Sequence, residues 1–118
     1  AYWDYLDKYA PVMTAHSLTI PMLFLQGERD YQVTMQDFAM WKLGMFGKPN
    51  VTFRSYPSLN HCFMEGTGKS TPMEYNHPGR VSEKVIKDIA EWAIHRNECP
   101  IDLPQVIFLS SLYPMREE

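Results

Sequence analysis

The chain has 118 residues, of which 45% are hydrophobic and 14% aromatic, and it carries a net charge of −3. This composition is that of a packed globular domain, and the slight negative charge offers no basic surface for a phosphate backbone, so we expect no nucleic-acid partner. The apolar runs are too short to cross a membrane. No N-terminal signal segment is visible, but this absence says little about export if the true N-terminus is missing, so the location stays open, with a cytoplasmic one favoured.

The first predicted elements are a short helix and a buried strand. Aromatic residues near helical spacing in Tyr2–Tyr9 predict the end of a helix or a lid, which Pro11 stops. Met22–Leu25 then form an unbroken apolar run, which is typical of a strand buried on both faces of a parallel sheet. Polar Glu28–Asp30 follow at its carboxyl end, where open α/β sheets place ligand-binding and catalytic groups. Asp30 is therefore the first candidate for chemistry.

A helix and a second strand follow. Thr34 is a favourable N-cap, and Asp37 suits the positive end of a helix that ends around Gly44–Gly47. Its apolar face would comprise Met35, Phe38, Trp41, Leu43 and Met45. In Val51–Tyr56, residues alternate as expected of a strand nearer the sheet edge. The turn after this strand delivers His61, so that a carboxylate and an imidazole are expected at the same rim of the sheet.

Two segments resemble the acid and histidine motifs of the α/β-hydrolase superfamily. They read GERDYQVT over Gly27–Thr34 and YPSLNHCFMEG over Tyr56–Gly66, in the order of acid before histidine that this superfamily uses. The chain is similar in particular to dienelactone-hydrolase-like and serine-aminopeptidase-like esterases and peptidases. The resemblance covers Tyr9–His95 and implies an α/β fold, namely the last parallel strands and flanking helices of an α/β-hydrolase.

Other motifs of that superfamily are absent from the sequence. It contains no G-x-S-x-G nucleophile elbow and no HG-rich oxyanion loop. A complete fold of this kind has about eight strands and roughly two hundred residues or more. We therefore expect a piece of a longer protein, in which residues 1–96 are the C-terminal part of an α/β-hydrolase domain and residues 97–118 are a tail outside the resemblance. The expected macromolecular partner is the chain's own N-terminal portion or a second copy.

The resemblance implies a serine hydrolase that acts on an ester or peptide bond of a small-molecule ester or peptide substrate. His61 would be the general base, and Asp30 would accept a hydrogen bond from its imidazole. The nucleophilic serine and the oxyanion donors would come from the missing upstream segment. No cofactor or metal is expected. Glu28 is the nearest rival for the role of the acid, and Glu65 is a more distant one.

The rest of the chain contains a long loop, a helix and the tail. Glu65–Gly79 is rich in Gly, Pro, Ser and Thr and lacks periodicity, and we expect this loop to border the site. Ser82–His95 predicts a capped helix that packs on the sheet. Its apolar stripe would comprise Val85, Ile86, Ile89, Trp92 and Ala93. Gln105–Leu112 has strand propensity, which fits an extra edge strand, a dimer contact or a buried arm.

Two alternatives stay open at this point. The chain could be a small non-catalytic α/β module that binds a partner through its aromatic surface or its tail. It could also be a cysteine hydrolase that uses Cys99, which would then have to lie within hydrogen-bond reach of His61. The other cysteine, Cys62, is interpreted as a small buried thiol. The two cysteines have neither the number of a disulfide framework nor the spacing of a metal site.

Overall fold

The computed structural model describes residues 10–95 and 105–108. It contains the helices α1 (Pro11–His16), α2 (Met35–Gly44) and α3 (Glu83–His95), a 3₁₀ helix (Pro72–Asn76), and the strands β1 (Met22–Gly27), β2 (Val51–Tyr56) and β3 (Gln105–Phe108). The predicted α/β class is confirmed. None of the helices in the described ranges is long and apolar enough to cross a membrane. The predicted N-terminal helix or lid, and Cys99, lie outside these ranges.

Strand β1 lies in the middle of a three-stranded sheet of order β2-β1-β3. Both neighbours run parallel to it, and the pairing with β2 ends with Gly27 opposite Tyr56. All six residues of β1 are buried, as the unbroken apolar run predicts for a strand covered on both faces. The strand is two residues longer than predicted because Gln26 and Gly27 continue the pairing.

Part of the tail belongs to this sheet. Residues Gln105–Phe108 pair with Met22–Leu25 on the side of β1 that faces away from β2. The tail thus forms an edge strand of the described sheet, and the last four residues of the predicted strand lie outside the described ranges.

The sheet separates two apolar clusters because successive side chains of a strand point to opposite faces. One face packs against α1 and α2 in a cluster of Ala15, Met22, Phe24, Val33, Phe38, Trp41 and Met45. The other face packs against α3 in a cluster of Leu23, Leu25, Tyr56, Leu59, Phe63, Val85 and Trp92. The result is a layer of helix, a layer of sheet and a second layer of helix.

Helix α2 begins as predicted. The backbone N–H of Thr34 donates a hydrogen bond to Oδ2 of Asp37 at 2.9 Å, which is half of a capping box. Phe38 and Trp41 are buried, as expected, but Leu43 is 78% exposed. The prediction that Leu43 shares their face is wrong, because two positions along a helix correspond to about 200° of rotation.

Helix α3 also agrees with the prediction to within one residue. Four residues of the predicted apolar stripe are buried or half-buried, whereas Ile86 is 57% exposed. The hydroxyl of Tyr56 donates a hydrogen bond to Oδ2 of Asp88 at 2.8 Å and joins the helix to β2. Burial, followed by the Asp88 carboxylate, raises the pKa of Tyr56 well above its usual range. Tyr56 therefore stays a neutral donor at physiological pH.

The long loop is more ordered than its composition predicts. Glu65 forms an isolated antiparallel bridge with Leu59, and Pro72–Asn76 form the 3₁₀ helix. Pro72 is one of its first residues, where a fixed φ angle and a missing N–H favour a helical start.

Gly27 lies where the end of β1 meets the loop that follows β2. A Cβ atom at this position would lie 2.4 Å from the carbonyl oxygen of Asn60 and 2.6 Å from that of Leu59. Both distances are far inside van der Waals contact, and backbone atoms cannot rotate away. The absence of a side chain at Gly27 therefore allows the two segments to approach each other.

We expect Gly27→Ala to lower the free energy of unfolding by about 1–3 kcal/mol, because the added methyl group pushes the loop backbone away. Urea denaturation followed by far-UV circular dichroism measures this change. The control is Gly79→Ala, where a Cβ atom would meet the flexible side chain of Met64 and the loss should be much smaller. Equal midpoints for Gly27→Ala and the unsubstituted chain would contradict the close approach.

Candidate active site

Asp30 lies in the turn that follows β1. Its backbone N–H donates to the carbonyl oxygen of Gly27 at 3.2 Å, which reverses the chain directly after the strand. The residue is 7% exposed. Its Oδ1 atom accepts hydrogen bonds from the backbone N–H groups of Gln32 at 2.8 Å and of Val33 at 3.0 Å. One carboxylate oxygen is thus fixed by the backbone, which leaves Oδ2 for another partner.

His61 lies at the tip of a tight loop after β2. The side chain of Asn60, which is fully buried, accepts hydrogen bonds at 3.0 Å from the backbone N–H groups of Cys62 and Met64. Phe63 has a φ angle of 58°, a left-handed conformation that closes the turn. These contacts fix the direction in which the imidazole leaves the loop.

The structure brings Asp30 and His61 together. Nδ1 of His61 and Oδ2 of Asp30 are 2.8 Å apart, and their side chains are 14% and 3% exposed. Because an ionised carboxylate can only accept a hydrogen bond, Nδ1 carries the proton. The opposite ring nitrogen, Nε2, then points away from Asp30 with its lone pair. This arrangement can accept a proton at Nε2 while the carboxylate stabilises the positive charge that results.

The two rival acids are bound elsewhere. Oε1 of Glu28 accepts a hydrogen bond from the hydroxyl of Ser55 at 2.7 Å, and Oε1 of Glu65 accepts one from the hydroxyl of Ser82 at 3.1 Å. Neither hydrogen bonds with His61.

Cys62 does not have the environment that the sequence predicts. Its side chain is exposed, and Phe63, the next residue, is the one that enters the core. The prediction of a buried thiol is wrong because the left-handed turn at Phe63 directs that aromatic ring inward. The pKa of the Cys62 thiol is raised, first by partial burial and then by the nearby charge of Asp30, so the thiolate is disfavoured at neutral pH.

A cleft of about 750 Å³ lies beside Asp30. The residues that line it include Tyr31, Met35 and Pro57 and the segment Gly66–Lys69. The beginning of the long loop therefore borders the space next to the carboxylate. Among the serines of residues 10–95, none hydrogen bonds with the imidazole of His61, so the described part of the chain supplies no serine hydroxyl to it.

The sequence pattern identifies Asp30 and His61 but not Asn60, which shapes the loop that carries His61. A signal for it is present, since asparagine commonly hydrogen bonds to backbone groups that follow it in a turn. The buried side chain and its two backbone partners become visible only in the folded loop.

Comparisons with known proteins give one informative similarity. No protein-family model matches the chain, and no solved structure matches it. The chain is 43% identical over 93 residues to a protein named Esterase EstD from Thermotoga maritima. The matched stretch is 79% of this chain but 23% of the length of that protein. The chain spans less than a quarter of the relative, and it resembles part of an esterase.

Proposed function

We propose that the chain is the C-terminal part of an α/β-hydrolase domain in a serine hydrolase that cleaves ester bonds. Asp30 and His61 are the acid and the base of its catalytic triad. The nucleophilic serine and the oxyanion donors lie in an upstream segment. The contact of 2.8 Å between Nδ1 of His61 and Oδ2 of Asp30 carries this proposal.

Three further features support the proposal. The two residues follow neighbouring parallel strands, an arrangement in which loops of open α/β sheets hold reactive groups. The chain also has 43% identity over 93 residues to an esterase. The cleft beside Asp30 is the third feature, since it leaves open space next to the acid at the edge where the two loops begin.

In the proposed mechanism, Nε2 of His61 removes the proton of the serine hydroxyl as the oxygen attacks the ester carbonyl carbon. A tetrahedral intermediate forms, and the imidazolium then donates the proton to the leaving alkoxide as the ester C–O bond breaks. Water attacks the acyl-enzyme by the same route, with His61 again as base, and the acid product leaves. The imidazole thus ends each cycle in the neutral form in which it began.

Asp30 acts through His61 in this mechanism. Its Oδ2 holds the proton on Nδ1, which keeps the Nε2 lone pair directed toward the nucleophile. The carboxylate is nearly inaccessible to solvent, so its attraction for the imidazolium is less screened than that of a surface ion pair. Its Oδ1 is held by two backbone amides, which prevents the carboxylate from turning away.

The proposal assigns the nucleophile to a segment outside the 118-residue chain. We expect a fluorophosphonate probe to form no adduct with the 118-residue chain, and to form one adduct with the longer protein that the proposal requires. Replacing His61 with alanine in the longer protein should abolish labelling, because the serine then lacks its base. Intact-mass spectrometry reads both results. An adduct on the 118-residue chain alone would contradict the assignment of the nucleophile to an upstream segment.

The rate of ester hydrolysis tests the role of His61. In the longer protein, His61→Ala should lower kcat/KM for p-nitrophenyl acetate by about 10²–10⁴-fold, the usual contribution of a general base. His95→Ala is the control, since His95 is exposed at the end of α3. Similar rates for both variants would refute the role of His61.

Asp30→Asn should also lower kcat/KM substantially. The carboxylate accepts hydrogen bonds on both oxygens, whereas an amide accepts on one and donates on the other. The asparagine therefore loses its backbone bonds or forces the His61 proton onto Nε2, where it blocks catalysis. Glu28 is the other candidate for the acid and is exposed. Glu28→Gln keeps the volume of its side chain and should leave kcat/KM within about twofold of the unsubstituted value. A reversed order of these two effects would assign the acid to Glu28.

If the chain is instead part of a non-catalytic binding module, no hydrolysis is expected. Leu43 and Phe46 are 78% and 84% exposed, and they would suit a binding module as well as a surface covered by another segment. A module of that kind shows no hydrolysis in any longer form, and substitution of Asp30 or His61 changes nothing but stability. The values of kcat/KM for the Asp30 and His61 variants of the longer protein separate the two functions.

A further inference from the structure

Arg29 joins the loop that carries Asp30 to the loop that carries His61. Its side chain is 8% exposed, although arginine is normally a surface residue. Nε donates a hydrogen bond to the carbonyl oxygen of Gly68 at 2.7 Å, and Nη1 donates one to that of Ser58 at 3.3 Å. These two carbonyls lie on opposite sides of His61 in the sequence, so one guanidinium holds both ends of the segment that presents the imidazole.

The backbone of Arg29 makes the same connection. Its N–H donates to the carbonyl oxygen of Leu59 at 3.0 Å, and its own carbonyl oxygen accepts from the N–H of Ser70 at 3.3 Å. A Cβ atom on Gly66 would lie 2.3 Å from Nη1 of Arg29, so the loop passes directly over the guanidinium. The segment before His61 and the segment after it are therefore both in contact with the residue that precedes Asp30.

Glu74 and Ser70 anchor the guanidinium. Nη2 of Arg29 lies 2.6 Å from Oε1 of Glu74, and the hydroxyl of Ser70 donates a hydrogen bond to the other carboxylate oxygen. The hydrogen bond from Ser70, and then the one from Arg29, lower the pKa of Glu74 below its usual range. Glu74 is consequently an anion at neutral pH, and its contact with Arg29 is a charge-assisted hydrogen bond.

The sheet alone does not fix the distance between the two loops. Pairing of β1 with β2 ends at Gly27 and Tyr56, and both Asp30 and His61 lie beyond that point. Asn60 shapes the His61 loop internally but does not hydrogen bond to the Asp30 loop. Beyond the His61–Asp30 contact itself, the hydrogen bonds that join the two loops are those of Arg29, from its backbone and from its guanidinium.

We infer that Arg29 is a positioning residue, anchored by Glu74 and Ser70, which holds the His61 loop at hydrogen-bond distance from Asp30. The catalytic meaning of this role rests on the function proposed above, whereas the positioning itself does not. The planar guanidinium suits the task because it directs several donors outward in one plane. A lysine ammonium at the same position is a single point charge and reaches fewer of these carbonyls at once.

The test is made on the 118-residue chain and reads the contact between His61 and Asp30 directly. NMR of the chain with ¹⁵N-labelled histidine rings measures the exchange of the His61 Nδ1–H proton with water. Arg29→Met should accelerate this exchange by about tenfold or more, because the loss of hydrogen bonds from a charged group costs enough to open the loop transiently. Arg29→Lys should accelerate the exchange to a similar extent, because lysine keeps the positive charge but not the planar set of hydrogen-bond donors.

Arg54→Met is the matched control. Arg54 is 47% exposed and lies 3.9 Å from Asp88 in a loose ion pair between β2 and α3. Its replacement removes an arginine and an ion pair and should leave the exchange rate unchanged. Loss of an exposed arginine by itself is therefore excluded as the cause if only Arg29→Met accelerates the exchange.

Glu74→Gln provides a second variant in case Arg29→Met does not fold. It keeps the volume of the side chain and removes only the charge that anchors the guanidinium, and it should also accelerate exchange of the Nδ1–H proton. Unchanged exchange in the folded variants would overturn the inference. These measurements need no serine and no substrate, so the inference can fail while the proposed function stands, and the reverse is equally possible.

In the longer protein, the same inference predicts a separation of kinetic constants. Arg29→Met should lower kcat for p-nitrophenyl acetate by about tenfold and leave KM nearly unchanged, because positioning of the base affects the transition state and not ground-state binding. A change confined to KM would instead assign Arg29 to substrate binding and overturn the positioning role.

The anchor should weaken in acid. The charged and titratable groups near Glu74 are Arg29 from the loop after β1 and, around the adjoining cleft, Glu65, His77, Arg80, Glu83 and Lys84. Because the pKa of Glu74 is lowered on folding, its stabilising contribution is complete above the ordinary glutamate pKa of about 4.3 and disappears as the pH falls through the lower folded value.

Urea midpoints of the unsubstituted chain and of Glu74→Gln should therefore differ at pH 7 and converge as the pH falls below about 4. Glu83→Gln is the control, since Glu83 and its partner Arg80 are 83% and 86% exposed and such pairs contribute little. A gap between the midpoints of Glu74→Gln and the unsubstituted chain that stayed constant down to pH 2 would show that the Glu74 charge does not anchor Arg29.

Discussion

The parallel pairing of β1 with β2 is the constraint on which the rest of the site depends. Its register brings Gly27 opposite Tyr56, so both strands end together and their loops begin at the same edge of the sheet. A slip of one residue would turn every side chain of one strand to the wrong face and bury polar groups in an apolar cluster. The two packed clusters therefore fix the register, and the register fixes where the two loops meet.

Hydrophobic patterning was sufficient to predict this framework. The unbroken apolar run before Asp30 indicated a strand covered on both faces, and its six buried residues agree. Alternation in Val51–Tyr56 gave the bounds of β2, and the cap at Thr34 gave the start of α2. Such signals are local, because burial of one face imposes a period that a short stretch of sequence displays by itself.

Order along the chain, combined with the parallel sheet, was also sufficient to bring Asp30 and His61 to one edge. What it could not predict was the means of holding them there. Arg29 and Glu74 are 45 residues apart, and neither belongs to a periodic pattern. An arginine beside a strand end has the appearance of an ordinary solvated residue until the fold places carbonyl groups around it. The same holds for the exposure of Cys62, which depends on the left-handed turn at Phe63.

The contacts between the two loops lie within one compact stretch of the chain, from Gly27 to Glu74. Backbone and side-chain freedom in these loops is lost once, when the protein folds. In the proposed enzyme, a nucleophile that reaches the imidazole would meet a base whose orientation is already set, so little further ordering would accompany each turnover. If the proposed upstream segment carries the acyl pocket, its variation would change which acyl group is bound while the Asp30–His61 pair keeps its geometry.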